Sequence, residues 1–216
     1  MNADFCKKAE NDNFPIYAYR IKDAIYINTT SNCSNVCDFC IKFTNRGVEG
    51  YNLEIADDPS VNDTKRQIDD ILKTRPEIKK IVFCGLGEST YRLEFMEEIA
   101  KTYKPLGFSF RLNTNGHGNK INGFNIIPRL SAFLNSISIS LNAHNSELYE
   151  KMCNPTFENA YDEMLDFTKK CVGQIPEVFL SVVEMPGIDI SKCAEIAKNI
   201  GASFKLRPYI NPDTKK

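Results

Sequence analysis

Cys33, Cys37 and Cys40 stand in the run Asn32-Cys33-Ser34-Asn35-Val36-Cys37-Asp38-Phe39-Cys40, a C-x3-C-x2-C spacing. Thiolates are soft ligands, and three on one short loop can hold zinc or an iron–sulfur cluster. Structural zinc sites usually complete four ligands with a second cysteine pair or with histidines. No second pair follows, and the only histidines, His117 and His144, lie far downstream. Three thiolates suit a cubic [4Fe–4S] cluster, leaving one iron open to a small molecule. The remaining cysteines, at positions 6, 84, 153, 171 and 193, are scattered singly and read as small buried side chains.

The chain that must position this trio alternates strand and helix. Apolar runs at 24–28, 80–84, 108–112, 136–141, 178–183 and 203–207 read as strands, and 16–21 as a hairpin partner of the first across Lys22-Asp23. Helical periodicity marks 61–74, 90–103, a short stretch near 127–134, a long helix from Phe157 to Cys171, and 190–200. Repeated βα units imply a parallel sheet with right-handed crossovers. After the strands come NTTSNC, GLGES, NTNGHGN, SLNAHN, EMPG and RPY, six polar or glycine-containing clusters. In a (β/α) barrel all six would meet at one mouth, whereas in an open doubly wound sheet only those at the switch point would meet. The expectation is an α/β fold, a partial (β/α)6 TIM-like barrel of parallel strands with helices outside. Residues 24–209 read as one core domain, residues 1–23 as an N-terminal extension and residues 210–216 as a short tail.

C-x3-C-x-aromatic-C after the first core strand, with Phe39 as the aromatic, resembles the signature of the radical S-adenosylmethionine (SAM) enzymes. The resemblance implies that Cys33, Cys37 and Cys40 hold a [4Fe–4S] cluster that reductively cleaves S-adenosyl-L-methionine, giving methionine and a 5′-deoxyadenosyl radical that abstracts hydrogen from substrate. It also implies an external electron donor of flavodoxin or ferredoxin type. Gly85-Leu86-Gly87-Glu88 is similar to the family's Gly-Gly-Glu motif, which places Gly85, Gly87 and Glu88 at the methionine amine. Asn113 and Thr114, then Ser140 and Asn142, resemble segments contacting the SAM carboxylate and ribose, with Arg207 a partner for a carboxylate of SAM or substrate. Taken alone, the glycines and asparagines would serve equally as turn residues, and Arg207 as a solvated rim residue. The runs Asn113–Asn125, Ser138–Ala143, Met185–Asp189 and Arg207–Tyr209 resemble the TatD-associated radical SAM proteins, which points to a functional link with a TatD-type metal-dependent hydrolase. His117 is the candidate proton donor or acceptor toward substrate, and His144 a weaker one.

Composition bounds these readings. The chain has 216 residues, 42% hydrophobic and 25% charged, with a net charge of −1. That balance gives no broad electrostatic footprint for nucleic acid or an anionic membrane. No apolar stretch is long enough to span a bilayer and the N-terminus lacks an apolar leader core, so a cytoplasmic enzyme is expected. Two other readings compete, an activating enzyme that installs a radical on a partner protein and a non-catalytic iron–sulfur electron carrier. A six-stranded arc cannot close, so residues 1–23 and 43–59 are expected to form a partial lid that substrate or a partner completes.

Overall fold

Period-two alternation gives the core strands an apolar face and a second face that carries most of their polar residues, and this division determines where the site lies. In the computed structural model, which describes residues 15–43 and 48–209, the strands are β1 (Ala18–Ile21), β2 (Ala24–Asn28), β3 (Lys80–Cys84), β4 (Ser109–Thr114), β5 (Ser136–Ser140), β6 (Glu177–Val183) and β7 (Ser203–Arg207). They form one seven-stranded sheet in the order β1-β2-β3-β4-β5-β6-β7. β1 pairs antiparallel with β2, Ala18 opposite Ile27 and Ile21 opposite Ala24, as the hairpin reading expected. All later neighbours pair in parallel. β1 and β7 are the two edges, so the curved sheet is a partial TIM-like barrel open along one side.

The helices follow the strands as α1 (Val61–Thr74), α2 (Leu93–Tyr103), α3 (Gly118–Asn122), α4 (Ile127–Ser131), α5 (Ser146–Cys153), α6 (Ala160–Cys171) and α7 (Ile190–Ile200). Ser60 caps α1, its hydroxyl accepting from the Asp63 amide, and Asp189 caps α7 in the same way through the Lys192 amide. Ile81, Phe83, Phe110, Leu112, Ile137, Ile139, Leu180 and Val182 point outward into the helix layer and are essentially buried. Burial of each such side chain stabilises the fold by roughly 1.5–3 kcal/mol.

Three local readings differ from the structure. The expected helix at 90–103 begins as a tight 3-10 turn over Ser89–Arg92 and becomes α-helical only at Leu93. The helix expected from Phe157 to Cys171 is α6 and begins only at Ala160, after Asn159 in the left-handed region, while α5, ended by Asn154 in the same region, was not expected. The Asn- and Gly-rich run after β4 contains α3, a helix of five residues whose composition reads as turn. Residues 1–14, 44–47 and 210–216, which include Cys6, most of the expected extension and the tail, lie outside the described residues. Of the two expected lid segments, the described part of 43–59 packs on the β1–β2 hairpin. There Leu53 joins Tyr19 and Leu86 in a small cluster, and its carbonyl accepts from Asn28 Nδ2 at 2.8 Å.

Candidate active site

The cysteine loop leaves β2 at the C-terminal mouth of the barrel, and its backbone is held by α5. The last carbonyls of a helix lack intrahelical partners. Here the Cys153 carbonyl accepts from the Val36 amide at 3.0 Å, and the Met152 carbonyl accepts from the Asp38 amide at 3.0 Å. Asn154 Nδ2 donates to the Val36 carbonyl at 3.1 Å and to Asp38 Oδ1 at 3.0 Å, and the Thr156 amide donates to the Ser34 carbonyl at 2.8 Å. The loop thereby completes the cap of α5, and Cys33, Cys37 and Cys40 are left half-buried with free thiols. Phe39 is half-buried and packs against the apolar core.

Burial pushes the Cys33 thiol up to about 12. The Cys40 thiol is also raised, chiefly by burial, while the Cys37 thiol is raised chiefly by its hydrogen bond with Cys153. Such thiols ionise only against compensating positive charge, which a metal group supplies. Among the described residues no three His, Cys, Asp or Glu side chains converge around a point that would hold a single metal ion. The donor set is three separate soft thiols on one loop, and this fits a cube, whose irons each take one thiolate.

Glu88 follows β3 and is 2% exposed. Its Oε1 accepts from the Thr90 amide at 3.0 Å, the Thr90 hydroxyl at 2.8 Å and the Thr114 hydroxyl at 2.8 Å, while Oε2 accepts from the Asn115 amide at 2.6 Å. Burial raises this carboxyl above the usual range and the four donors oppose that shift. The Glu88 amide donates to the Asn32 carbonyl at 2.7 Å, so one residue ties the β3 loop to both the β4 loop and the cysteine loop. Gly85 and Gly87 lie against the same backbone: a methyl on Gly85 would meet Asn28 Oδ1 at 2.9 Å, and one on Gly87 would meet the Asn32 carbonyl at 2.3 Å.

Arg207, Ser140, Asn142, Asn113 and Cys84 gather on the barrel side of the mouth. Arg207 Nη2 donates weakly to Ser140 Oγ and Asn142 Oδ1, both at 3.4 Å, and Asn113 Nδ2 approaches Cys84 Sγ at 3.5 Å. Arg207 Nε and Asn113 Oδ1 are buried without partners, an arrangement that suits a polar ligand lodged between them. Burial lowers the Arg207 guanidinium, while Cys84 and Cys37 oppose the shift. Thr114 stands apart from this group, because its hydroxyl is given to Glu88.

His117 does not open on the mouth. It is 1% exposed, with Nδ1 at 3.0 Å from Ser34 Oγ and Nε2 at 3.0 Å from the Ala160 carbonyl. A carbonyl only accepts, so Nε2 carries the hydrogen and Nδ1 accepts from Ser34. Asn115 Nδ2 donates to the same Ser34 oxygen at 2.8 Å and reaches Cys33 Sγ at 3.8 Å. The ring therefore buttresses the residue next to Cys33, where sequence reasoning expected exchange of protons with substrate. His144 is elsewhere, its Nδ1 accepting from the Asp189 amide at 3.1 Å. Sequence reasoning passed over Ser34, Asn115, Tyr149 and Cys153. Ser34 and Asn115 sit inside motifs already singled out, but Tyr149 and Cys153 ride on the unexpected α5.

Burial lowers the His117 pKa from its ordinary 6.5. The unfolded chain then binds the proton first as pH falls, so this contribution to stability is complete above about 6.5 and is lost toward the lower folded value. We expect the urea midpoint of the anaerobic protein to fall more steeply from about pH 7 to about pH 5.5 than that of His117→Gln. Parallel curves would show that the ring is not held neutral.

The chain matches the Radical SAM superfamily over residues 27–200. It is 33% identical over 95 residues to the tungsten-containing aldehyde ferredoxin oxidoreductase cofactor-modifying protein of Pyrococcus furiosus, a stretch covering 43% of this chain and 23% of that protein. The chain thus spans about a quarter of the length of that curated relative. Among solved structures it is similar to TYW1 with a lysine-pyruvate adduct bound (TM-score 0.62, 17% identity, 90% of this chain and 67% of that one). It is also similar to methylornithine synthase, PylB (TM-score 0.57, 15% identity, 87% and 53%). At these identities the structures establish the shared fold, and the family match over most of the chain establishes descent: the protein belongs to the radical SAM superfamily, whose enzymes use a [4Fe–4S] cluster and S-adenosylmethionine.

Proposed function

We propose that Cys33, Cys37 and Cys40 hold the cluster, that the mouth residues hold S-adenosylmethionine against it, and that the enzyme removes hydrogen from a substrate lying in the open barrel. The observation that carries this reading is the trio of half-buried thiols on one loop, fixed by the α5 cap at the mouth where polar groups lack partners. The bound cofactors supply one-electron cleavage of a sulfonium and a carbon-centred radical. The chain supplies position. Gly87 and Glu88 are assigned to the methionine amine, and Glu88 Oε2, with one donor, keeps room for another. Asn113, Ser140, Asn142 and Arg207 are assigned to the carboxylate and ribose, Thr114 acting through its bond to Glu88. Gly85 keeps the β3 loop close beneath them.

The finer reading, a TatD-linked radical SAM protein with a functional link to a TatD-type hydrolase, is supported by the runs at 113–125, 138–143, 185–189 and 207–209, and a flavodoxin or ferredoxin as electron donor by the radical SAM family itself. Among the described residues no helix is long and apolar enough to cross a membrane.

Anaerobically reconstituted protein given a strong reductant and S-adenosylmethionine should release 5′-deoxyadenosine and methionine slowly without substrate, and none when any of the three cysteines is Ala. A cluster-loaded protein that binds no S-adenosylmethionine would instead be an electron carrier.

A further inference from the structure

The bore below the mouth carries cations that no ion pair accounts for. Alternation puts Tyr26 of β2, Arg111 of β4, Ser136 and Ser138 of β5, Phe179 of β6 and Lys205 of β7 on the face opposite the helix core. Arg111, Ser136, Ser138, Phe179 and Lys205 line one cavity of about 440 Å³. Arg111 Nη2 donates to the Tyr26 hydroxyl at 3.3 Å, and its Nε is buried with no partner. The ion pairs among the described residues all involve other arginines and lysines. The other charged lining groups are Glu177, exposed at the rim, and Lys80, paired with Asp23 outside. Arg111 and Lys205 line this one cavity, and partial burial with the neighbouring Arg111 and Arg207 guanidiniums holds the Lys205 ammonium below the usual lysine range.

A buried guanidinium nitrogen with no partner, beside a second cation and hydroxyl donors in one cavity, offers a place for an anion. We propose that Arg111 and Lys205 form an anion-binding subsite that anchors a phosphate or carboxylate at the end of the substrate remote from the cysteines. This rests on the radical SAM reading for its meaning but not for its chemistry. Asn115, which reaches Cys33, is four residues beyond Arg111 on the same chain, or about 13 Å at strand rise. The substrate class is therefore an elongated anionic small molecule, its charged end low in the bore and its reacting carbon near the mouth.

The test is calorimetric titration of the cluster-loaded full chain with inorganic phosphate and, separately, with succinate, at low and high salt. Saturable binding of one of them is expected, phosphate if the anchor is a phosphate ester and succinate if it is a carboxylate. Arg111→Gln and Lys205→Gln should each weaken it about tenfold or more, while iron content stays at the parental level. Lys205 lies on an edge strand and is exposed, so its variant tests the idea even if Arg111→Gln misfolds. Cys33→Ala should still bind the anion, which separates this subsite from the cluster assignment. Absence of saturable binding to the parent, or binding unchanged in Lys205→Gln, would overturn the proposal.

Discussion

Cys33→Ala, Cys37→Ala and Cys40→Ala should each abolish the cluster, the largest change any single substitution is expected to make here. A cube held by three thiolates has no spare protein ligand, and a methyl offers no donor. After anaerobic reconstitution the parent should hold about four irons and as many sulfides, with a broad brown absorbance that bleaches on reduction. The three variants should stay colourless. Cys171→Ala is the matched control, because Cys171 is buried in the α6 core and faces no ligand loop. Cys153→Ala is the more informative companion. Cys153 is the residue whose hydrogen bond dominates the shift at Cys37, and its carbonyl holds the Val36 amide through backbone that the substitution preserves. It should therefore load the cluster normally and alter only its spectrum. A parent that takes up zinc at full occupancy and stays colourless would remove the cluster assignment altogether.

The limits of the sequence reading follow from what each element depends on. Strands and amphipathic helices announce themselves by periodicity, which is why β2–β7 and the faces of α1, α2 and α7 were legible, and why the mouth was located by the polar runs that follow each strand. Boundaries governed by hydrogen bonds to distant residues were not. α5 carries few large apolar side chains, and it matters because its C-terminal carbonyls receive amides from residues more than a hundred positions earlier. Its loss from the sequence reading hid Tyr149, whose hydroxyl accepts from Asn35 Nδ2 at 3.1 Å, and Cys153. The same cause explains His117. Residue type and place in a loop suggested proton transfer, while burial and the partner on each ring nitrogen come from Ser34 and Ala160, neither of which a linear pattern links to it. Cationic residues on the polar faces of β4 and β7 were equally invisible as a pair, because they come to one cavity only across the curvature of the sheet.

Gly87→Ala should damage the site almost as severely as losing a ligand, by a different route. The added methyl would stand 2.3 Å from the Asn32 carbonyl oxygen, 2.7 Å from that of Thr30 and 2.8 Å from the Ser31 carbonyl carbon. All three are backbone atoms, so no rotamer change relieves the overlap and the segment leading into Cys33 must move away. The short bond from the Glu88 amide to the Asn32 carbonyl would then open, and with it the link from the β3 loop to the cysteine loop. Overpacking of this kind costs about 1–3 kcal/mol or more. Gly107→Ala provides the comparison. Gly107 has φ +81° and nothing within 4 Å of an added methyl, so its cost is confined to local backbone strain of roughly 1–2 kcal/mol. Both variants should lose urea resistance, but only Gly87→Ala should lose iron while retaining all three cysteines. If Gly87→Ala kept the parent's full iron content and absorbance, the close approach of these two loops would not be what positions the thiols. The positioning would then fall to the α5 cap alone, and Asn154→Ala, which removes both side-chain bonds to Val36 and Asp38, would become the variant that empties the site.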